Sequence, residues 1–349
     1  MKIIKQNFGI LSNGEKVNLY TISNGKMSFS AMNYGCIITA ITVPSAHDSA
    51  GGGKSDDIVL GYSTLEGYIN DTETYFGSFV GRFANRIANA KFTLNNKQYL
   101  LDANDGKNCL HSGLNGYNRM VWSAKPLKAK DGVGICFTRI SPAGEQGFPG
   151  TLKLKVSYIL TDNNELIMHY KAKTDSDTPI NLTNHSYYNL AGENKGNVLS
   201  HTLAIHADTY LSVDAGLIPT GEMQSVEGNS FDFRKPKTIG QDFKESGGYD
   251  HCFCLRTGED GLHLCAEVKE PTTKRIMTVY TDRPGVQFYS GNFLDIKSGK
   301  NGMPYEKNAG FCLETQEYPD SPNQKNFPSC ILPAGKTYES TTVHKFGVY

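Results

Sequence analysis

The sequence lacks an excess of charge of either sign. Its 349 residues include 35 Lys and Arg and 35 Asp and Glu, so the formal net charge at pH 7 is zero. A protein that binds nucleic acid usually carries a basic surface, and this balance therefore argues against a nucleic-acid partner. The chain also lacks an apolar run near the ~20 residues of a membrane-spanning helix, and its first residues, MKIIKQNFGILSNG, contain no apolar core of signal-peptide length. We therefore expect no membrane partner and a cytoplasmic location.

Disulfides, linkers and long helices are further features that the sequence gives no sign of. The 8 cysteines are scattered through a long chain, which is typical of free thiols in a reducing compartment rather than of a disulfide framework. No Pro- or Ser-rich linker and no internal repeat divides the chain. No amphipathic helix longer than about three turns can be recognised. We expect one continuous domain over residues 1–349.

Strand and turn signals dominate instead. Period-two alternation, or enrichment in β-branched and aromatic residues, marks four stretches: TLKLKVSYIL (151–160), ELIMHYKAK (165–173), KRIMTVYTD (274–282) and GVQFYSGNF (285–293). The stretch KFTLNNKQYLL predicts a hairpin that turns at Asn95 and Asn96. These signals predict an all-β fold with many strands.

A glycine-rich stretch at residues 51–53 raises the question of a phosphate-binding loop. Gly53, Lys54 and Ser55 match the end of such a motif, but the position five residues before Gly53 is Asp48, where the motif requires glycine. The motif also needs a helix directly after it, whereas a strand-like stretch follows here. We interpret this stretch as a flexible surface loop.

A group of cysteines and histidines raises the question of a zinc site. A hairpin turning at residues 258–259 would bring together Cys252, Cys254, His263 and Cys265, which could in principle surround a zinc ion. Structural zinc loops, however, do not usually space their ligands at strand alternation, and a buried cysteine behaves as a small apolar side chain. The sequence leaves open whether this hairpin binds anything.

The stretch NLTNHSYYNL (181–190) places a histidine in what we interpret as a β-strand. Strand side chains alternate between two faces. His185 would therefore share its face with hydrogen-bonding residues: Asn181, Thr183, Tyr187 and Asn189. A polar, uncharged row with one titratable member is unusual for either an outward or a core-facing strand surface, and it leads to the hypothesis of a ligand-binding wall.

Five further polar residues lie outside the regular strand pattern: Asn85 and Arg86 in FVGRFANRIANAKF, His111 in NCLHSG, Asp250 in GGYDHCF and Glu314 in GFCLETQ. Singly, each has a structural interpretation as an ion pair, a solvated strand face or a satisfied core histidine. Together they match the needs of a neutral polyol, because its hydroxyl groups both donate and accept hydrogen bonds. One histidine and one carboxylate then suffice for proton transfer.

Several stretches resemble the aldose 1-epimerase family: NYGCIITAI, DIVLGY, VGRFANRIANAKF, CLHSG, NLTNHSYYNL, LIPTGE, FDFR, GYDHCF, PGVQFYSGNFLD and FCLETQEYPDSPNQKNFPSCIL. They run in family order from about Asn33 to Phe346 and so cover nearly the whole chain. The resemblance implies a large antiparallel β-sandwich, the galactose mutarotase-like supersandwich, with a sugar-lined concave face. The chain departs from the family at Tyr188, where Phe is common, and in the Gly-rich loop at 51–53, which is similar to a local insertion.

The resemblance also implies a role for each polar residue. Glu314 would be the general base that removes the proton of the anomeric hydroxyl, and protonated His185 would be the general acid that protonates the ring oxygen. The sugar hydroxyls would be held by Asn85, Arg86, His111, Asp250 and Gln287. The substrates would be free aldohexoses such as galactose and glucose, with no metal and no cofactor. Ordinary pKa values near 4.3 for Glu and 6.5 for His predict a rate that rises with pH as Glu314 ionises and falls as His185 loses its proton.

Three alternatives stay open at this point. A glycoside hydrolase would use two carboxylates ~5–9 Å apart, for which Asp250 and Glu314 are candidates, although the expected acid here is a histidine. A non-catalytic sugar-binding module usually offers a stacking tryptophan, and the chain has only Trp122. A hexose-6-phosphate mutarotase should carry more basic residues than the one cluster of Arg82 and Arg86. The preferred hexose is undecided, and the oligomeric state is left as monomer or homodimer.

Overall fold

Antiparallel strands make up most of the regular structure in the computed structural model, which describes residues 1–46, 55–258 and 261–349. Numbered along the chain, these strands are β1 (Lys2–Ile10), β2 (Lys16–Ser23), β3 (Ser28–Met32), β4 (Ile38–Val43), β5 (Asp56–Asp57), β6 (Phe79–Val80), β7 (Arg86–Ile87), β8 (Lys91–Leu94), β9 (Lys97–Leu100), β10 (Cys109–Leu110), β11 (Ser123–Ala129), β12 (Gly132–Ser141), β13 (Leu152–Thr161), β14 (Glu165–Thr174), β15 (Thr178–Pro179), β16 (Thr183–Asn184), β17 (Thr202–Ile205), β18 (Ala207–Val213), β19 (Pro219–Ser225), β20 (Lys237–Thr238), β21 (Asp250–Leu255), β22 (His263–Lys269), β23 (Arg275–Thr281), β24 (Gly285–Tyr289), β25 (Cys312–Gln316), β26 (Ile331–Leu332) and β27 (Thr337–Val348). The prediction of an all-β fold is confirmed.

Helices are few and short in the described residues. The α-helices are α1 (Leu65–Asn70) and α2 (Phe243–Ser246), and the 3₁₀ helices are Ala88–Ala90, Tyr117–Arg119, Glu145–Gly147 and Lys300–Gly302. None of the helices in this part of the chain combines the length and the apolar character that crossing a membrane requires.

A nine-stranded antiparallel sheet follows the order β11-β12-β13-β14-β27-β23-β22-β17-β20. In β13, Val156 and Tyr158 are buried whereas Lys155 is exposed. This is the pattern that period-two alternation produces when one face of a sheet covers a core. The strands predicted at 151–160 and 165–173 are confirmed as the adjacent strands β13 and β14.

A five-stranded sheet, in the order β19-β18-β21-β24-β25, carries three of the predicted site residues. Every residue of β24 and β25 is buried. The register places Gln287 of β24 directly opposite Glu314 of β25. Asp250 of β21 pairs with Tyr289, two residues from Gln287, so Asp250 shares the face of Gln287 and Glu314. The sheet register therefore brings an amide and two carboxyl groups to one surface.

A second five-stranded sheet, in the order β1-β2-β3-β4-β5, is built from the N-terminal part of the chain. The predicted hairpin is confirmed as β8 and β9, in which Lys91 pairs with Leu100. Its turn residues, Asn95 and Asn96, have φ of 51° and 61°. Two consecutive left-handed residues match the twist of the flanking strands, and asparagine tolerates that conformation better than most residues.

The three large sheets share one hydrophobic core. Phe29 and Ile41 contribute from the N-terminal sheet, Val156 and Tyr158 from the nine-stranded sheet, and Phe288 from the sheet that carries the site residues, all with no exposed surface. Complete burial of such a side chain stabilises the fold by ~1.5–3 kcal/mol. This common core fixes the site-bearing sheet against its neighbours and confirms the sandwich architecture.

The prediction of a strand through 181–190 is wrong over most of its length. Only Thr183–Asn184 forms a strand, β16, which pairs with β6. Asn181 forms one isolated bridge to another segment and Tyr188 forms two, and all ten residues of the stretch are buried. A fully buried segment must satisfy its backbone groups wherever partners lie, and here several neighbouring segments supply them.

The hairpin considered as a zinc site does not form. Cys252 and Cys254 lie on β21 in the site-bearing sheet, whereas His263 and Cys265 lie on β22 in the nine-stranded sheet. The supposition of facing ligands was wrong because the chain changes sheets between these strands. The Gly-rich stretch at 51–53 lies outside the described residues.

Candidate active site

One cavity of about 340 Å³ is lined by all seven residues that the sequence singles out: Asn85, Arg86, His111, His185, Asp250, Gln287 and Glu314. Three of them lie on the adjoining strands β21, β24 and β25, and the others lie in or beside the short strands β7, β10 and β16. Small-molecule sites usually measure ~300–1,000 Å³, so this volume suits a ligand of monosaccharide size.

Asp250 and Gln287 form a fixed polar wall. The Nε2 group of Gln287 donates a hydrogen bond of 2.7 Å to Oδ1 of Asp250. Burial raises the pKa of Asp250, while the positive charge of Arg86 and this hydrogen bond oppose the increase. The second carboxyl oxygen of Asp250 stays available to accept a hydrogen bond from a ligand.

His185 and Glu314 approach each other inside the cavity. Nε2 of His185 lies 3.5 Å from Oε1 of Glu314, and the two side chains are 8% and 3% exposed. Burial lowers the pKa of His185 to about 4. Burial first, and then the charge of Asp250, raise the pKa of Glu314 well above its usual range. Burial therefore favours the neutral form of both groups, with the proton of the pair on Glu314, which reverses the order expected from the sequence.

Two tyrosine rings enclose the imidazole of His185. The ring centroids of Tyr75 and Tyr187 lie 5.9 and 5.1 Å from that of His185, with interplanar angles of 25° and 24°. Tyr75 follows a turn in which Oδ1 of Asp71 accepts hydrogen bonds from the backbone N–H groups of Glu73 and Thr74. This turn holds Tyr75 over the histidine, and the two rings fix the plane of the imidazole.

His111 is locked as a neutral hydrogen-bond donor. The backbone N–H of Asn85 donates to Nδ1 of His111 at 3.1 Å, and the backbone N–H of His111 donates to the carbonyl of Asn85 at 3.1 Å. Burial lowers the pKa of His111 well below its usual range. A neutral imidazole that accepts at Nδ1 carries its proton on Nε2. His111 can therefore donate Nε2–H to a sugar hydroxyl.

Three side chains are close enough to be considered as metal ligands: one ligand atom from each of His111, His185 and Glu314 lies within 4.8 Å of the others. A histidine that binds a metal usually donates its second N–H to an acceptor. In His111 the second nitrogen instead accepts a backbone N–H, so Nε2 holds a proton where the metal would need a lone pair. The donor set of these three side chains therefore does not fit a metal ion.

Arg86 and Arg82 serve different purposes. Arg86 donates from Nε to Oδ2 of Asp105 at 2.7 Å and lines the cavity. Arg82 is buried elsewhere and donates to the backbone carbonyls of Pro149 and Gly150. The interpretation of these two arginines as one cluster, made from the sequence, was wrong.

The polar row around His185 serves mainly to satisfy the backbone. Asn181 donates from Nδ2 to the carbonyls of Ala84 and Glu317, and the side chain of Asn189 likewise donates to backbone carbonyls. Within the row, only His185 and Tyr187 line the cavity. The hypothesis of a complete ligand-binding wall is therefore wrong outside these two residues.

Nine further residues line the rim of the cavity and were not predicted as site residues from the sequence: Glu73, Thr74, Tyr75, Leu110, Tyr289, Phe293, Leu294, Asp295 and Ile296. Phe293 is the most exposed of the large hydrophobic residues, at 77%. The only sequence signal for this rim was the aromatic stretch 285–293, which was interpreted as strand throughout, although β24 ends at Tyr289.

Comparisons with known proteins show which sequences the chain is similar to. A sequence model of the family described as Aldose 1-epimerase matches residues 18–345. The chain is 46% identical over 346 residues to galactose mutarotase of Homo sapiens, covering 98% of this chain and 97% of the relative. It is 36% identical over 342 residues to aldose 1-epimerase of Escherichia coli (strain K12), covering 95% of this chain and 96% of the relative.

Solved structures show the same fold. The crystal structure of galactose 1-epimerase from Lactobacillus acidophilus NCFM superposes with a TM-score of 0.83 at 26% identity, covering 99% of both chains. An aldose epimerase homologue from C. elegans superposes with a TM-score of 0.85 at 29% identity, covering 94% of this chain and 98% of the homologue.

Proposed function

The chain belongs to the aldose 1-epimerase family and interconverts the anomers of aldoses, and we propose that His185 and Glu314 carry the two proton transfers of this reaction. The observation that supports this assignment is the 3.5 Å approach of His185 Nε2 to Glu314 Oε1 in a buried, sugar-sized cavity. General acid and base groups must lie within reach of the protons they move. A sugar whose anomeric centre lies beside these two atoms meets both groups.

The proposed reaction opens and closes the sugar ring. Glu314 removes the proton of the C1 hydroxyl while His185 gives its Nε2 proton to the ring oxygen, and the bond between C1 and the ring oxygen breaks. The resulting aldehyde rotates about C1–C2. Closure on the other face of the carbonyl returns the proton from Glu314 to the C1 oxygen and the ring-oxygen proton to His185. Each such group contributes ~10²–10⁴-fold to the rate.

The protonation states of His185 and Glu314 change during this cycle. Ring opening starts from ionised Glu314 and protonated His185, and it ends with neutral Glu314 and neutral His185. The pKa directions of the free protein correspond to the second arrangement. Sugar binding must therefore move one proton from Glu314 to His185. A C1 hydroxyl that donates to the carboxylate, and a ring oxygen that accepts from the imidazole, both favour that move.

We propose that the remaining residues bind the hydroxyl groups of a free aldohexose such as galactose or glucose. Asp250 supplies an acceptor, Arg86 and His111 supply donors, and Asn85 and Gln287 can supply both. Fixed donors and acceptors of both kinds suit hydroxyl groups, which need each. Tyr75 and Tyr187 offer flat apolar surfaces to the C–H groups of the ring.

The site gives little support to the rival functions. The group that meets Glu314 is His185, and the Asp250 carboxyl accepts a hydrogen bond from Gln287. Trp122 is 1% exposed and lies in the hydrophobic core, where it cannot stack on a sugar. Each observation favours proton transfer at the anomeric centre over glycoside hydrolysis or simple sugar binding.

Charge at the cavity disfavours a phosphorylated hexose. Glu73 and Asp295 line the cavity together with Asp250 and Glu314. The charge of Arg86 is already compensated by Asp105. A phosphate carries close to two negative charges at pH 7 and would meet this acidic lining without a free basic partner among the residues that line the described cavity.

The domain organisation, oligomeric state, location and partners of the protein are further parts of the proposal. We propose that residues 1–349 act as one domain, as a monomer or homodimer, in the cytoplasm and without a nucleic-acid partner. The supports are the core that extends from Tyr20 to Phe346, the eight free cysteines and the zero net charge. Light scattering after size-exclusion chromatography, together with cell fractionation, tests the oligomeric state and the location.

Polarimetry of freshly dissolved α-D-galactose and α-D-glucose tests the proposed function. We expect the purified protein to accelerate the change in rotation of both sugars after exhaustive chelation, and galactose 6-phosphate to be a much poorer substrate. Loss of activity on chelation, with recovery on addition of zinc, would contradict the metal-free mechanism. A preference for the phosphorylated sugar would show that the acidic lining was misinterpreted.

A further inference from the structure

The orientation of the His185 ring is only partly determined by its stacking partners. Tyr75 and Tyr187 fix the plane of the imidazole. A half-turn of the ring about its Cβ–Cγ bond keeps that plane and exchanges nitrogen atoms with carbon atoms. Some other group must therefore decide whether Nε2 faces Glu314 and the sugar.

Cys312 is placed to make that choice. Its Sγ lies 3.6 Å from Nδ1 of His185, and its side chain has no exposed surface. Among the side chains in the described part of the chain, this thiol is the hydrogen-bond partner of Nδ1, while Nε2 faces Glu314. Cys312 and Glu314 lie two residues apart on β25, so one strand face supplies both contacts.

We propose that Cys312 is a positioning residue whose thiol holds Nδ1 of His185 and thereby keeps Nε2 directed at the reacting sugar. This inference rests on the proposed role of His185 as the general acid. It assigns to Cys312 no contact with the substrate and no covalent step.

A neutral thiol at Cys312 is a suitable neighbour for His185, because a general acid must give up its proton readily. Once His185 has donated from Nε2, the remaining proton sits on Nδ1 and needs an acceptor, which the sulfur provides weakly. Burial and the nearby Glu314 charge raise the pKa of the Cys312 thiol well above its usual range, so the sulfur stays neutral. A carboxylate in this place would stabilise the imidazolium and make His185 a weaker acid.

A purely structural role is the competing explanation, because a buried cysteine also behaves as a small apolar side chain. The two explanations differ in what they predict for the imidazole. Packing alone leaves the tautomer and the pKa of His185 unchanged when the sulfur is removed. Positioning predicts that both change while sugar binding stays the same.

The test compares Cys312→Ala with Cys312→Ser, and uses Cys265→Ala as the matched control. Cys265 is also a fully buried free cysteine, but it lies in the hydrophobic core on β22. For Cys312→Ala we expect kcat for galactose to fall about tenfold, a fraction of what a general acid contributes, with KM within about twofold of wild type. Serine both donates and accepts at Nδ1, so Cys312→Ser should recover kcat to within about threefold of wild type.

The second readout is independent of activity. Nitrogen-15 NMR of the imidazole in the sugar-free protein should show a different Nδ1 environment and a shifted His185 titration in Cys312→Ala, with no change in Cys265→Ala. Unchanged His185 signals, or a folded Cys312→Ser protein as slow as Cys312→Ala, would overturn the proposal. If wild type failed to act on any aldose, the proposed function would fall while the NMR result still decided the contact between sulfur and nitrogen.

Discussion

Gln287 donates a 2.7 Å hydrogen bond to Asp250 beside His185 and Glu314, the proposed catalytic pair. The bond orients the Asp250 carboxyl. Burial raises the pKa of Glu314, and the charge of the Asp250 carboxyl raises it further. Asp250 is thus expected to have two separable effects: it binds sugar hydroxyls, and its charge raises the pKa of the proposed base, Glu314. A substitution that keeps its shape and removes its charge should reveal both.

Asp250→Asn and Arg86→Ala should act mainly on binding. Each loses a charged hydrogen bond to a hydroxyl that changes little during the reaction, a loss of ~1.5–3 kcal/mol. Steady-state kinetics with galactose should therefore show a raised KM and a smaller change in kcat. Asp250→Asn should also move the alkaline limb of the pH profile to lower pH, because Glu314 loses a negative neighbour. Complete loss of turnover by Asp250→Asn with normal sugar binding would instead make Asp250 a proton-transfer residue.

The acidic rim should govern discrimination against phosphorylated sugars. Removing the charges in a Glu73→Gln, Asp295→Asn double variant should improve kcat/KM for galactose 6-phosphate several-fold, since a charge pair at the surface is worth about 1 kcal/mol. Activity on galactose should change little. Glu222→Gln, an exposed position on β19, makes the same kind of charge change away from the cavity and is the control. Equal effects of the rim and control variants would show that the rim does not contact the substrate.

The sequence predicted those parts of this molecule that depend on local pattern. The alternation in β13 and β14 and the Asn95–Asn96 turn depend on neighbouring residues, and they could be predicted directly. The gathering of His111, His185 and Glu314 depends on sheet register between distant strands. Their residue types suggested a shared polyol site, and the family resemblance supplied the role of each. The reversed pKa order could not be predicted, because ordinary pKa values contain no information about burial.

Tyr188 is the position where the chain departs from the family's common Phe, and its extra hydroxyl has a partner. The hydroxyl lies 2.8 Å from Nδ1 of His344, and both residues are buried. Tyr188→Phe should lower the free energy of unfolding by ~1–3 kcal/mol, because it leaves a buried nitrogen unpaired. Activity should persist, since Tyr188 does not line the cavity.

Denaturant unfolding measures this effect. Tyr280→Phe is the matched control, because no hydrogen bond to the Tyr280 hydroxyl occurs in the described residues and the side chain is half-buried. The control should change the free energy of unfolding by less than about 0.5 kcal/mol. Similar losses in both variants would mean that the contact with His344 contributes nothing specific.

The pH profile of the reaction reports on the proposed pair, because the proposed proton transfers require His185 and Glu314 to hold one proton between them. At low pH both are protonated, and at high pH neither is. The rate should fall on the acidic side as His185, whose pKa burial lowers to about 4, becomes protonated. It should fall on the alkaline side as Glu314, whose pKa burial raises, loses its proton. These limbs are assigned in the reverse order to the one expected from the sequence. Both are apparent values of a coupled pair.

The most direct test is kcat/KM for galactose across pH in wild type, His185→Asn and Glu314→Gln. Neither substituted side chain can exchange the proton it replaces, so each variant should lose ~10²-fold or more in kcat while it still binds galactose. Residual activity of His185→Asn should only rise with pH, as Glu314 ionises, and residual activity of Glu314→Gln should only fall with pH, as His185 loses its proton. Because burial lowers the pKa of His185 and raises that of Glu314, the rise should lie at higher pH than the fall. If His185→Asn kept kcat within a few-fold of wild type, His185 would not be the acid and His111 would be the next candidate. If the rise in His185→Asn lay at lower pH than the fall in Glu314→Gln, the proton in the free protein would rest on His185, and the effect of burial on the two pKa values would be contradicted.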